Sequence, residues 1–278
     1  MVKIVTDSSS DISPHLATEL GITVVPMRIS FGSKVYYDGI DIDRASFYQQ
    51  ITKSAVLPTA EPPLPEELQH TYAQLVKGSD QILSIHSSSR LNKTAQVAQE
   101  AAKSFLGRSK IAVVDSRMIS WGLALVVSMA AEAAKRGSSV DDIVRLIRGM
   151  VPHIYMVFFA ENMDYLERRS RPGRGRMPMD GLPGVRPLLI IEDGDIVPME
   201  KVRTRGKSVD RLFEFVMEFA RFDQAAILQG RLSEDTQLLF QRLTEAFPER
   251  KLDITPYGPA LGTHLGPEAM GIAVYEGM

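Results

Sequence analysis

Residues 81–94 read QILSIHSSSRLNKT, and the change of rhythm inside this stretch decides the architecture. Gln81 to Ile85 is a short apolar run bounded by the polar turn Gly78-Ser79-Asp80, the pattern of a buried strand. From Asn92 onward the spacing is helical, with Ala95, Ala98, Ala102 and Phe105 on roughly one face. His86, Ser87, Ser88, Ser89 and Arg90 lie between the two patterns. A strand-to-helix junction presents unpaired backbone N–H groups at the positive end of the helix dipole. Here hydroxyls and a cation are added, so a carboxylate or a phosphate fits. A serine or Asn92 that simply caps the helix accounts for the same residues, and both readings stand.

Upstream, residues 2–6 form a strand, and Ser13-Pro14 opens a helix. Asp7 falls at the carboxyl end of a first parallel strand, where open α/β sheets place their sites. It can hold magnesium or a sugar hydroxyl there, or neighbouring N–H groups in an Asx turn. Residues 22–29 read as a second strand, turned by Gly32-Ser33 into a hairpin with residues 34–37. Asp43 caps a helix over residues 44–53. The proline-rich stretch Leu57-Pro-Thr-Ala-Glu-Pro-Pro63 reads as an extended linker that holds the Thr59 hydroxyl at low entropic cost. Pro65 and two glutamates open a helix leading to Gly78.

Downstream, Lys110 to Asp115 is a strand ending in a carboxylate, residues 116–136 are mostly helical, and residues 140–150 form an amphipathic helix behind a Ser138/Ser139 cap. This alternation over about 152 residues predicts a mostly parallel, doubly wound sheet. The second half differs. Residues 153–160 read as a strand, 163–169 as a short helix, and RRSRPGRGR over 168–176 as a basic Gly/Pro loop that continues through Gly181 to Gly184. Two antiparallel strands, 187–192 and 196–203, meet at Asp193-Gly194. Helices over 207–221 and 234–247 and strands over 225–229, 252–255 and 271–275 follow. The predicted organisation is an N-terminal α/β domain over residues 1–155 and a C-terminal mixed α+β domain over 156–278.

The 278 residues carry a net charge of −2, with 44% hydrophobic, 24% charged and 7% aromatic residues. That balance is ordinary for a globular chain and lacks the basic excess of general nucleic-acid binders. The absence of cysteine excludes disulfides, thiolate catalysis and Cys-ligated zinc. No signal peptide is visible, and the apolar run over 119–134 is too short to span a bilayer. A soluble, cytoplasmic protein without stable membrane insertion is expected.

Several segments together resemble the DegV family: TDSSSD after the first strand, Pro58-Thr59, the strand-SIHxSS-helix segment, Val114-Asp-Ser116, Val202-Arg-Thr-Arg-Gly-Lys207 after a DG hairpin, and His264-Leu-Gly-Pro267. They follow one another in order along essentially the whole chain. The resemblance implies a two-domain α/β fold with one long-chain fatty acid, about C16–C18, held between the domains. It implies a non-catalytic, substrate-presenting partner of a fatty acid kinase, whose catalytic subunit phosphorylates the acid's carboxylate for phospholipid metabolism. Carried over residue by residue, Thr59, Ser88 or Ser89, and His264 would bind the carboxylate. Arg203 and Arg171 would lie near the mouth where the kinase docks. No metal or cofactor is implied beyond the lipid itself. The chain departs from the family pattern at Asn92-Lys93, usually Ser-Gly, and at Arg169-Ser170-Arg171, usually Gly-Gly-Arg.

The chemistry is coherent, because a carboxylate entering a protein needs hydrogen-bond donors in place of water. Two hydroxyls, loop N–H groups and an imidazole supply them. The alternative is a phosphoryl- or acyl-transfer enzyme with Ser88 as nucleophile, His264 as base and Asp7 or Asp115 on a metal. Against it, no GxxxxGK[ST] motif occurs, and no acidic partner for His86 is evident. His264 is expected in a loop between Gly262 and Gly266. The arginine loop suits an acidic partner protein better than RNA.

Overall fold

The computed structural model describes residues 1–79, 81–161, 165, 186–231 and 233–278. Strands Lys3–Asp7 (β1), Ile22–Val25 (β2), Gln81–His86 (β6) and Lys110–Asp115 (β7) form a wholly parallel sheet in the order β2-β1-β6-β7. Alternate residues serve opposite faces, as the two-residue period of a strand requires. Val5 and Ile82 pack with Leu68 and Tyr72 of helix α3 (Pro65–Leu75) and with Ala98 and Ala101 of α4 (Thr94–Lys103). Ile4, Leu83 and Ile85 pack on the other face against α5 (Ser120–Lys135). Helices α1 (Pro14–Leu20) and α6 (Val140–Met150) start on the caps expected, Ser13 and Ser139 accepting backbone N–H bonds. The predicted doubly wound layer is present.

Two expectations are corrected here. Residues 22–29 are not one strand: β2 ends at Val25, and Arg28–Phe31 (β3) joins a separate antiparallel sheet of order β4-β3-β5. Pro26 has no N–H for a ladder and breaks the run; the next amide, Met27, donates to Ser8 Oγ at 3.0 Å instead. The proline-rich stretch is more than a linker. Its residues Thr59–Glu61 (β5) pair with β3, while Lys34–Tyr37 (β4) pairs with β3's other edge through the Gly32 turn, φ +63°. Helix α2 (Arg44–Lys53) follows on its Asp43 cap.

The second sheet has six strands in the order β10-β9-β8-β13-β11-β12. They are Ile154–Phe159 (β8), Arg186–Glu192 (β9), Asp195–Val202 (β10), Gln224–Gln229 (β11), Lys251–Pro256 (β12) and Met270–Tyr275 (β13). Only the β11–β12 pair is parallel. One face, with Val157, Ile227 and Ile272, packs on helices α7 (Arg205–Met217) and α8 (Glu234–Ala246). The opposite face, with Met156, Ala226 and Ala273, shares one core with α5 and the parallel sheet. Helix α5 therefore lies between the two sheets. It comes so close to β8 that a Cβ on Gly122 would sit 2.8 Å from Met156 Sδ. The short helix read over 163–169 and the basic loop with Arg171 lie outside the described residues, apart from Tyr165, which is buried. No helix among the described residues is long and apolar enough to cross a membrane.

Candidate functional site

The carboxyl ends of β1, β6 and β7 carry a connected polar network. His86, read from sequence as having no acidic partner, has one: its Nδ1 lies 2.8 Å from Asp7 Oδ2, both side chains wholly buried. Asp7 is 79 residues away along the chain, so no local pattern reveals the pair. Tyr72 donates to Ser84 Oγ at 2.8 Å, and Ser84 Oγ lies 2.7 Å from His86 Nε2. With its oxygen accepting from Tyr72, the Ser84 hydroxyl is placed to donate a hydrogen bond to Nε2 while Nδ1 faces Asp7. The other Asp7 oxygen takes the Ser9 amide at 3.1 Å and the Ser9 hydroxyl. Asp7 thus makes the Asx-type turn rather than presenting itself to a metal. The network locks the serine turn Ser8–Ser10 and the serine loop after β6 to adjacent strand ends.

Within that loop Ser88 is buried, and its hydroxyl donates to the Gly194 carbonyl at 2.6 Å. Gly194 is the tip of the β9–β10 hairpin. Its φ of +81° and its closeness to Ser88 both require glycine. A second contact holds the same tip, Arg117 to Asp193 at 3.1 Å. Asp115, ending β7, accepts the Ser89 amide at 3.2 Å and the Arg117 amide at 2.9 Å. The Ser89 hydroxyl has no hydrogen bond among the described residues. Asn92 lies one residue before the helix N-cap, Lys93, and closes the turn into the helix: its Oδ1 accepts from Thr94 N at 2.9 Å while its Nδ2 donates to Ser87 Oγ at 2.7 Å. Arg90 and Lys93 are exposed beside this helix start.

Thr59 is exposed on β5, with Ala60 turned into the core, and its hydroxyl has no hydrogen bond among the described residues. His264 is buried, 5% exposed. It lies not in a loop but in a short helix, Pro259–Leu265 (α9), which Pro259 opens and Gly266, at φ +77°, ends. Helix α9 packs against β5, α2 and the serine turn, which sets the His264 helix beside the Thr59 strand. Met27, wholly buried, ties the neighbouring pieces together: it accepts from Thr94 Oγ1 through sulfur and from the Asp38 amide at 2.9 Å.

Two carboxyls here are not anticipated by the sequence reading. Asp38 accepts from Ser8 Oγ at 2.7 Å. Burial pushes it up to about 7, opposed by the Ser8 bond and reinforced by the negative charge of Asp11. Burial likewise pushes Asp11 up to about 6, opposed by Arg44, the Ser120 hydroxyl and the Gly258 amide. The sequence signals are slight: Asp38 stands in an Asp-Gly turn, with Gly39 at φ +78°, and Asp11 closes the TDSSSD segment, and neither pattern marks a buried carboxyl. Arg203 is exposed just past β10, while its neighbour Arg205 pairs with Glu161 at 2.7 Å and with Asp235 over the Phe159 ring. The arrangement offers hydroxyl and amide donors at strand and helix ends, flanked by cations and backed by an aliphatic core.

A family model described as "Uncharacterised protein, DegV family" matches residues 1–277. A DegV domain-containing protein of Caldanaerobacter subterraneus subsp. tengcongensis is 32% identical over 99% of both chains. Among solved structures, the protein described as DegV, a fatty acid binding protein from Bacillus subtilis, is similar at a TM-score of 0.89, with 29% identity and 99% of each chain covered. A structure from Thermus thermophilus, described as fatty acid binding of a DegV family protein, gives a TM-score of 0.89, 25% identity and 99% coverage of each chain.

Proposed function

This chain belongs to the DegV family, and from that premise we propose that it binds one long-chain fatty acid between two domains, residues 1–155 and 156–278, and presents the carboxylate to a kinase subunit. The observation that carries the reading is the whole-chain likeness to two structures described as fatty-acid-binding. The local geometry supports it. The Thr59 and Ser89 hydroxyls are unengaged among the described residues, the His264 helix packs on the Thr59 strand, and a large aliphatic core extends behind them. Thr59, Ser88, Ser89 and His264 are the proposed carboxylate ligands. Ser88 would join them by exchanging its bond to Gly194 for one to the ligand, a swap of one acceptor for a charged one. Arg203, exposed at the end of β10, is the proposed docking residue for the kinase, together with Arg171.

The protein is read as a carrier rather than a catalyst. A serine nucleophile hands its proton to a base, whereas Ser88 donates to a backbone carbonyl. Native mass spectrometry of the purified protein, followed by extraction, tests the reading. One bound acid of about C16–C18 per chain, or uptake of added oleate, is expected. A protein that neither carries nor takes up such an acid overturns the proposal. Thr59→Ala should weaken retention about tenfold, because a hydrogen bond to a charged group is worth roughly 1.5–3 kcal/mol. Arg203→Glu should leave retention intact and impair phosphorylation of the bound acid by a partner kinase; loss of retention would put Arg203 in the pocket instead.

A further inference from the structure

Asp11 lies where three elements meet. It ends the serine turn Ser8–Ser10, which packs against both α5 and α9. Its carboxylate accepts from the hydroxyl of Ser120, the first residue of α5, and its Oδ1 lies directly against Gly258, the residue that begins α9. Gly258 has no room for a side chain, because a Cβ there would collide with Asp11 Oδ1. Asp11 and Ser120 both hold left-handed backbone, at φ 55° and 54°. Residues with side chains adopt that region at a cost, and serine lacks even the modest tolerance of aspartate. Two such residues bonded to each other mark a geometry that the surrounding fold imposes.

The far end of α9 is held separately. Tyr257 donates to the Gly266 carbonyl at 2.8 Å and the Ala269 carbonyl at 3.1 Å, while at the near end Tyr48 donates to the Tyr257 carbonyl at 3.1 Å. Asp11 is the contact that ties the near end to the strand-end turn of the parallel sheet. We propose that Asp11 is a positioning residue for ligand binding, fixing α9 through its close contact with Gly258 and so setting His264 against the serine turn and the Thr59 strand. The proposal rests on the reading of His264 as a carboxylate ligand. Asp11 need not touch the lipid. Arg44 and Asp7 are the charged groups that act on Asp11, and it is the Asp11 carboxylate that packs on Gly258.

The test is a double-mutant cycle on oleate affinity, joined to hydrogen exchange of the segment spanning residues 258–266. Asp11→Ala should weaken oleate binding about tenfold. Asp11→Asn should stay within about threefold of wild type, because its side chain keeps the carboxylate's shape against Gly258 and its NH2 group can donate to Ser120. In a His264→Ala background, Asp11→Ala should cost no further affinity, since a residue acting through His264 has nothing left to position. Without ligand, Asp11→Ala should speed exchange over residues 258–266 about tenfold. Additive losses in the cycle, or unchanged exchange in that segment, overturn the proposal. A wild-type protein that binds no oleate, or a His264→Ala variant that binds it normally, defeats the reading of the site itself; exchange at α9 then decides separately whether Asp11 holds the helix. If Asp11→Ala does not fold, Ser120→Ala runs the same cycle, because it removes the hydroxyl that orients the carboxylate.

Discussion

Asp38 shows at a single residue how the site burdens the fold. Its carboxyl, 8% exposed as a residue, is pushed up to about 7, and Asp11 beside it to about 6, chiefly by burial. An acid raised in the folded state binds its proton there more tightly than in the unfolded chain. The stabilisation is complete below the usual carboxylate range near 4 and is lost as pH rises through about 7. Asp38→Asn should therefore raise the melting temperature at pH 8, by the equivalent of about 2–4 kcal/mol, and change it little at pH 4. An equal shift at both pH values would mean that ionisation is not the cause. The His86–Asp7 pair predicts the opposite response to mutation. His86→Ala leaves a wholly buried carboxylate without its imidazole partner and should cost about 3 kcal/mol in urea unfolding. A loss under about 0.5 kcal/mol, the size of an ordinary surface change, would show that the pair is not needed.

Among the elements, the β9–β10 hairpin and the helix α5 decide how the two halves of the chain meet. The hairpin tip was legible as Asp193-Gly194, because a two-residue turn with left-handed backbone selects those residue types. Its target was not legible, since Ser88 lies 106 residues upstream. Gly194→Ala brings a Cβ against Ser88 at φ +81° and should destabilise by about 1–3 kcal/mol in denaturant titration. A neutral result would mean that the tip and the serine loop are not held together. The caps at Ser13, Asp43 and Ser139 were all readable for the same local reason, each accepting an amide within three residues of itself. His264 was misplaced in a loop because glycines at 262 and 266 suggest a turn, and only packing against Phe47, Tyr48 and Tyr165 leaves those glycines without side chains.

For the whole molecule, the largest core contains residues of the parallel sheet, of α5 and of the six-stranded sheet together. Loss of either sheet exposes the apolar face of the other, so thermal unfolding should be one cooperative transition with equal calorimetric and van't Hoff enthalpies. Two resolved transitions would show that the halves are independent. Sequence by itself determined the order and kind of most elements among the described residues, their caps and turns, and the family. Those properties follow from residue spacing, backbone preference and short-range hydrogen bonds, which leave periodic or local traces. Only the tertiary structure decided that Pro26 divides one apolar run between two sheets, that His86 meets Asp7, that Ser88 is engaged by Gly194, and that Asp11 reaches Gly258. These are contacts between residues far apart in the chain, chosen by which faces bury one another, and nothing in the local spacing records them.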